Sequence, residues 1–275
     1  MTEQLSSPPK NPKVKRLLAL QKDSSLRRET GLFVVEGRRE LQHCIDAGFH
    51  IDSFFVCPEL CPAPELPSGA KVFEISRAVY ERIAYREGTE GVIAEVRAKY
   101  LRLDDLSLPA EPLIVVLESV EKPGNLGAVL RSADAAGADA VLICDPLTDL
   151  YNPNLVRASI GAVFTVPCVA CSSADAIKWL KDKGISILTA QLQDSSLYYE
   201  TDMVRGSAIV MGTESTGLSQ IWRDAESSHI RIPMLGRLDS LNVSVSAAIL
   251  LFEAVRQRRR QQRRRQQWRR QQWWR

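Results

Sequence analysis

The sequence has no long hydrophobic run. None of its apolar stretches reaches the roughly 18 consecutive residues that a membrane-spanning helix needs. The N-terminal segment MTEQLSSPPKNPK also lacks the apolar core of a secretory signal. These absences predict a cytoplasmic protein with no membrane partner.

Metal and dinucleotide signatures are missing as well. The cysteines include a C-x3-C pair (Cys57, Cys61) and a C-x2-C pair (Cys168, Cys171), but no further Cys or His pair stands at zinc-finger spacing. Reduced, partly buried thiols are therefore expected, and no metal. No G-x-G-x-x-G motif occurs either, which argues against a Rossmann dehydrogenase.

Charge is unevenly distributed along the chain. The formal net charge is +3, yet residues 256–275 contain ten arginines and no acidic residue, so the rest of the chain is acidic overall. Residues 10–39 form a second basic stretch, with nine Lys or Arg against three acids. Localised basic patches on an acidic body favour contact with a polyanion, although a solvated helix face explains the N-terminal patch equally well.

The pattern of elements divides the chain into parts. Residues 1–100 predict a small α/β unit, and residues 101–111 a linker. Residues 112–257 alternate apolar strands with helices, which predicts a parallel sheet covered on both faces. Residues 258–275 are a low-complexity Arg/Gln/Trp tail that either prolongs the last helix or is disordered. Its arginines and its tryptophans (Trp268, Trp273, Trp274) suit single-stranded nucleic acid, or the tail is simply solvated.

Ligands of such sheets bind where strands end. Strands are predicted for LIVVLES, AVLIC, FTVPCVA, ISILTA, SAIVMG and HIRIPM, and glycines and polar residues follow several of them. The last helix begins near residue 243, after a cap by Ser240 or Asn242. It is apolar nearly all round as far as Val255, so it must be buried on more than one side.

Three motifs of the second part stand out: N-x-G-x-x-x-R at 125–131, G-T-E-S-T-G-L-S at 212–219, and I-P-M with S-L-N-V-S at 232–244. In this order and separation they resemble the signatures of the SpoU (TrmH) family of RNA 2′-O-ribose methyltransferases. The N-terminal part, with FVVEG followed by a helix, is similar to the small substrate-binding domain, itself like a ribosomal protein fold, of many ribosomal-RNA members.

The resemblance implies a fold and a cofactor. It implies a C-terminal SPOUT domain whose chain threads a deep trefoil knot, and a homodimer formed through helices that include the last one. It also implies S-adenosylmethionine as methyl donor, held by loops that match Thr189, Gly212, Ile232 and Leu241. A glycine at position 212 would let backbone come close to that ligand.

The resemblance also implies catalytic residues. Arg131 matches the essential arginine of the first motif and acts as base, alkoxide stabiliser or phosphate anchor; electrostatic stabilisation is favoured because Arg stays protonated. Asn125, about two turns earlier and on the same helical face, orients Arg131 or the ribose, or caps the helix. Glu214 pairs with Arg131 or lies near the sulfonium, or is an ordinary surface carboxylate. Ser240 and Asn242 position the acceptor or the cofactor carboxylate at a helix start.

The sequence therefore predicts methyl transfer from S-adenosylmethionine to a ribose 2′-hydroxyl of structured RNA. The N-terminal domain favours ribosomal over transfer RNA. Two alternatives stay open: a knotted methyltransferase that modifies a base, and a non-catalytic RNA-binding assembly factor. Lys122, Arg157 and Arg237 are candidates for phosphate contacts, or are solvated charges.

Overall fold

The computed structural model of the protein describes residues 2–4, 11–62, 66–67, 69–85, 90–213, 216–225 and 228–272. Contacts divide the chain into two compact units. The first comprises Met1–Tyr100 and Asp149–Thr165, and the second Leu101–Thr148 and Val166–Arg275. The predicted domain boundaries themselves stay a prediction.

The helices and strands alternate along both units. Up to residue 100 they are β1 (Thr2–Gln4), α1 (Pro12–Lys22), α2 (Ser24–Thr30), β2 (Leu32–Glu36), α3 (Arg38–Asp46), β3 (Ile51–Val56), β4 (Val72–Glu74), α4 (Arg77–Ile83) and β5 (Val92–Arg97). Then follow β6 (Leu113–Glu118), α5 (Pro123–Ala136), β7 (Ala140–Cys144), α6 (Pro153–Ser159), α7 (Ala162–Thr165), β8 (Cys168–Cys171), α8 (Ser173–Asp182), β9 (Ser186–Ala190), β10 (Ser196–Leu197), β11 (Ser207–Met211), α9 (Gln220–Ala225), β12 (Ser228–Arg231) and α10 (Val243–Gln272).

The first unit is built on a mixed sheet with the strand order β1-β4-β3-β5-β2. β5 runs antiparallel to β3 and β2, and the other pairs are parallel. Helix α1 begins at Pro12, and its amide groups are capped by Asn11, whose side-chain oxygen accepts from Lys13 N at 2.9 Å. The apolar side of α1, which includes Leu17 and Leu20, is fully buried in the core of this unit.

The segment Asp149–Thr165 packs with the first unit although it lies within the second half of the sequence. Arg27 Nε donates to Asp149 Oδ2 at 2.5 Å, and both side chains are more than nine-tenths buried. The ring of Tyr151 stacks on Phe33 with centroids 4.2 Å apart. Arg27, although part of the basic N-terminal stretch, therefore has a structural role in the fold. Removing one partner of such a buried ion pair is strongly destabilising, because the other charge stays buried without a partner.

The second unit contains a parallel sheet of seven strands with the order β10-β12-β9-β11-β6-β7-β8. Its central strands are buried on both faces, as their continuous apolar sequences predict. Residues 101–111, the predicted linker, contribute Leu103, Leu106 and Leu108, which pack against the core of this unit. The α/β architecture with a C-terminal parallel sheet is confirmed.

One predicted strand differs from the structure, and one of the two alternatives for the tail agrees with it. FTVPCVA was predicted as a strand, but Phe164 and Thr165 end helix α7 and the strand begins only at Cys168. Pro167 separates the two elements: its carbonyl oxygen still accepts from Val141 N at 2.9 Å, but it has no amide hydrogen to donate, and the edge strand β8 begins after it. The last helix continues from Val243 to Gln272, so the described part of the Arg/Gln/Trp tail prolongs it. Trp273 and Trp274 lie outside the described residues.

Candidate active site

A cleft opens at the carboxyl ends of β9 and β11 in the second unit. It encloses about 340 Å³ and is lined by residues 190–193 after β9, residues 211–213 and 217–218 around the second motif, Arg223 of α9, and residues 239–241, Val243 and Ser246. A smaller cavity of about 150 Å³ shares residues 190–192 and 239–241 with it and extends to Ile232 and Met234 after β12. Together they have the size of a small-molecule site.

Two asparagines join the first and third motifs beside this cleft. Asn242 Nδ2 donates to Asn125 Oδ1 at 3.1 Å. Asn242 Oδ1 also accepts from the backbone N and the hydroxyl of Ser244, at 3.0 and 2.6 Å, so Asn242 caps helix α10. Asn125 is not the cap of its own helix, because α5 already begins at Pro123. The side chain of Asn125 is therefore positioned by the third motif.

Arg131 lies on α5, which packs against α10. It is exposed, and it forms no hydrogen bond or ion pair with any described residue. The prediction that Arg131 shares a helical face with Asn125 is wrong: six residues correspond to about 600° of rotation, which places the two side chains about 120° apart and about 9 Å along the axis. An exposed guanidinium is thus available to a bound anion.

Gly212 is required by its own loop. A Cβ at this position would lie 2.2 Å from the carbonyl oxygen of Gly217 and 2.7 Å from the amide nitrogen of Leu218. Thr213 and Gly217 form an isolated bridge, with Gly217 N bonded to Thr213 O at 3.0 Å. The backbone that approaches Gly212 is therefore that of the second motif, which folds back on itself and forms one wall of the cleft.

The other predicted site residues are placed as follows. Leu241 and Ser240 line both cavities, and Ser240 donates to Asp239 Oδ1 at 3.2 Å. Ile232 lines the smaller cavity. Thr189 is fully buried one residue before the lining and bonds His229 Nδ1 at 2.5 Å. Glu214 lies outside the described residues. Of the phosphate candidates, Lys122 and Arg237 are exposed in the second unit and Arg157 is exposed in the first.

Sequence reasoning missed a buried polar network behind the cleft. Glu118, at the end of β6, accepts hydrogen bonds from the backbone N of Ser219, at 2.8 Å, and from its hydroxyl. Trp222 Nε1 donates to Ser173 Oγ at 2.9 Å, and that hydroxyl donates to Asp145 at 2.5 Å. These bonds hold the start of α9. A carboxylate directly after an apolar strand was the signal that could have revealed Glu118.

Helix α9 presents Arg223 to the cleft, and this residue was also missed. Its Nε is buried and has no hydrogen-bond partner among the described residues. A buried guanidinium N–H without an acceptor is unfavourable. Arg223 therefore places an unsatisfied buried donor beside the cleft, and Asp239 is the acidic residue in the same lining.

Comparison with known proteins agrees with this geometry. The model of the SpoU rRNA Methylase family matches residues 112–252, and that of the MRM3-like substrate binding domain matches residues 11–94. The 23S rRNA (guanosine-2′-O-)-methyltransferase RlmB of Vibrio vulnificus is 37% identical over 196 residues, which cover 69% of this chain and 79% of RlmB.

Solved structures are similar over nearly the whole chain. An RNA 2′-O ribose methyltransferase superposes with a TM-score of 0.80 at 37% identity, covering 94% of this chain and 99% of its own. An AdoMet-bound rRNA methyltransferase from Sinorhizobium meliloti gives a TM-score of 0.85 at 31% identity, covering 93% and 98%. With the second and third motifs lining one cleft, the first motif hydrogen-bonded to the third, and the family model matching residues 112–252, the chain belongs to the SpoU rRNA methylase family.

Proposed function

We propose that the protein transfers the methyl group of S-adenosylmethionine to the ribose 2′-hydroxyl of a guanosine in 23S ribosomal RNA. The observation that carries this proposal is the cleft at the ends of β9 and β11, whose lining residues Leu241 and Val243 flank Asn242. Asn242 is bonded to Asn125 of α5, and Arg131 is exposed on the same helix. The reaction and the RNA are those named for the relative RlmB.

S-adenosylmethionine fits the cleft, and its prediction as cofactor is confirmed by the family and by AdoMet-bound neighbours. The lining supplies apolar groups, including Leu192, Met211 and Leu241, for the adenine ring and the methionine chain. The unpartnered Nε of Arg223 suits an anionic group such as the methionine carboxylate. When bound, the cofactor supplies an activated methyl group on a sulfonium.

The protein's task is to orient and activate the acceptor. A ribose 2′-hydroxyl is a poor nucleophile at neutral pH, so its alkoxide character must be favoured in the transition state. Arg131 provides a protonated guanidinium for that developing charge or for the adjacent phosphate. Asn125, held by Asn242, positions the ribose. Ser240, on the shared wall of both cavities, and Glu214 are proposed to contact the reacting groups.

Labelled methyl transfer tests the proposed function. Purified protein, labelled S-adenosylmethionine and unmethylated 23S rRNA are expected to yield a 2′-O-methylated guanosine, which resists alkaline cleavage on its 3′ side. A methylated base in the nucleoside digest would instead identify a base-modifying enzyme. Absence of any labelled RNA, together with calorimetry showing no cofactor binding, would identify an assembly factor.

Variants of Arg131 test its role. Arg131→Gln removes the charge and is expected to lower kcat about 100- to 1000-fold, the usual cost of losing one preorganised electrostatic donor. Arg131→Lys keeps the charge but loses the forked geometry. Near-normal turnover of the Lys variant would contradict a requirement for a bidentate contact.

The protein is further proposed to be a homodimer with a knotted C-terminal segment. Val245 and Phe252 lie two turns apart on α10 and are 47% and 49% exposed, so they form an apolar stripe suited to a second copy. The knot is proposed on the resemblance to the SpoU family, whose model matches residues 112–252. Sedimentation equilibrium is expected to give twice the chain mass of 30.7 kDa.

The proposed location is the cytoplasm. Cys144 and Cys171 face each other across adjacent strands with their Sγ atoms 3.9 Å apart, yet they are not bonded, as in a reducing compartment. Burial raises the pKa of Cys168 to about 12, so this thiol stays protonated.

Among the described residues, no helix combines the length and the apolar character needed to cross a bilayer, and no cluster of metal ligands occurs.

A further inference from the structure

Helix α10 continues well beyond the part that packs on the second unit. Its residues up to Ala254 include several that are fully buried, such as Ala247 and Leu251. From Arg259 to Trp268 the side chains are exposed, apart from a half-buried Gln261. None of these ten side chains hydrogen-bonds to another described residue. We call residues 259–272 the arginine arm.

The arginine arm is positively charged on all sides. Residues 259–272 contain seven arginines and no acidic residue. The arginines recur in triplets five residues apart, at 258–260 and 263–265. At about 100° per residue, a step of five turns the helix by about 140° beyond one full turn, so successive triplets point in different directions. A charge distributed in this way suits a partner that surrounds or follows the helix.

Arg258, directly before the arginine arm, is hydrogen-bonded to the backbone of the second unit. The Arg258 guanidinium donates to the carbonyl oxygens of Met203, Pro112 and Arg205, each at 2.9 Å. Pro112 precedes β6 and Arg205 precedes β11, so these bonds lie at the amino ends of the strands, opposite the cleft. The distance along the helix from residue 243 to residue 258 is about 22 Å, from 15 steps of about 1.5 Å.

We propose that the arginine arm binds the phosphate backbone of the RNA substrate at a point remote from the methylated nucleotide. That the bound polyanion is RNA rests on the function proposed above. That the arm binds a polyanion rests on its charge alone. Neutralising phosphates with arginine releases condensed counterions, which is the main source of sequence-independent affinity for nucleic acid. Because the arm begins about 22 Å from the start of α10, it adds to RNA affinity and not to the methyl-transfer step.

Other partners fit the arm less well. A helix that lies on a membrane or pairs with another helix needs an apolar face, and Trp268 is the one apolar residue between 259 and 272. Arginines spaced four apart, such as Arg259 with Arg263 and Arg260 with Arg264, repel each other along the free helix. Bound phosphates relieve that repulsion, so a polyanion also stabilises the arm.

The test compares two full-length variants that keep Arg258. In the first, Arg259, Arg260, Arg263, Arg264 and Arg265 are all replaced by Gln, which preserves length and helix propensity. In the matched control the same five positions become Lys. Binding of 23S rRNA transcribed in vitro is measured over a series of KCl concentrations, alongside cofactor affinity, kcat and KM.

The Gln variant is expected to bind the transcript at least tenfold more weakly at 0.15 M KCl. Its plot of log K against log salt concentration should be shallower by about 3.5–4.5, from about 0.7–0.9 per lost phosphate contact. KM for RNA should rise while kcat and cofactor affinity stay unchanged, and the Lys variant should resemble the wild type.

Unchanged RNA affinity and salt slope in the Gln variant would overturn the proposal, as would an equal loss in the Lys variant. Binding of the wild type to phosphatidylserine vesicles without any arm-dependent binding of RNA would assign the arm to a membrane instead. Arm-dependent RNA binding by a wild type that methylates no RNA would support the arm and contradict the proposed function, so the two failures are distinguishable.

Discussion

Replacing Gly212 by alanine tests whether the second motif shapes the cofactor cleft. The new Cβ would lie 2.2 Å from Gly217 O and 2.3 Å from Gly217 C, which are backbone atoms and cannot rotate away. The loop is tied on both sides, by the bond from Gly217 N to Thr213 O and by that from Ser219 N to Glu118. Relief of the overlap therefore requires that the loop moves or that its bridge breaks.

Overpacking of this kind costs about 1–3 kcal/mol. If the loop opens, the whole cost appears in cofactor binding, which corresponds to a roughly 5- to 150-fold increase in Kd at about 1.4 kcal/mol per tenfold. If the loop stays closed, the same cost appears as lower stability of the protein. Titration calorimetry with S-adenosylmethionine and urea unfolding, performed on the same preparation, separate the two results.

Gly236→Ala is the matched control, because a Cβ there meets no heavy atom within 4 Å. It is expected to change neither the cofactor Kd nor the free energy of unfolding. A Gly212→Ala variant whose cofactor affinity and stability both equal those of the wild type would refute the steric argument.

Three further perturbations follow from the site and the last helix. Asn242→Ala removes the cap of α10 and should lower the free energy of unfolding by about 0.5–2 kcal/mol in urea. Asn242→Asp also loses the donor to Asn125 Oδ1 but keeps the accepting oxygen of the cap, so it should lower the free energy of unfolding less; equal losses in the two variants would contradict the capping role. Arg223→Gln should weaken binding of S-adenosylmethionine at least tenfold in calorimetry but leave 5′-methylthioadenosine, which has no carboxylate, unaffected; parallel losses would place Arg223 elsewhere. The hydrogen bond from Arg256 lowers the pKa of Glu253 in the folded state. The ionised carboxylate therefore stabilises the fold at pH values above the unfolded-state pKa of about 4.3. This stabilisation is lost as the pH falls through the lower pKa of the folded state. Glu253→Gln should therefore flatten the acid limb of stability measured by urea unfolding between pH 3 and 7, and an unchanged limb would exclude this linkage.

Much of the fold was predictable because its elements carry strong local signals. The strands LIVVLES and AVLIC are apolar and buried on both faces, and the structure places them at Leu113–Glu118 and Ala140–Cys144. The error at FTVPCVA has a local cause, since Pro167 lies within the predicted strand and separates α7 from β8. Helix α2 was missed because its sequence SSLRRET has hardly any apolar periodicity; its cap by Asp23, which accepts from Ser25 N at 2.8 Å, defines its start.

The candidate site was predictable only through the three motifs. Asn125 of the first motif and Asn242 of the third are 117 positions apart, and no periodicity could have shown that they share a hydrogen bond. Arg223 and Glu118 were missed because neither belongs to a recognisable motif. Each is a single charged residue in a helix or strand, and its role depends on how α9 packs at the ends of the strands. The roles of the predicted catalytic and cofactor-binding residues stay predictions.

The first unit is completed only by residues 149–165, and this has a consequence during synthesis on the ribosome. When residue 100 has been made, Arg27 still lacks Asp149 and the ring of Phe33 still lacks Tyr151. At about 5–20 residues per second, the missing segment follows only after several seconds, during which the Arg27 guanidinium has no carboxylate partner and the Phe33 ring has no Tyr151 to stack on. The nascent N-terminal half cannot reach its final packing before all of β6, α5 and β7 has been translated.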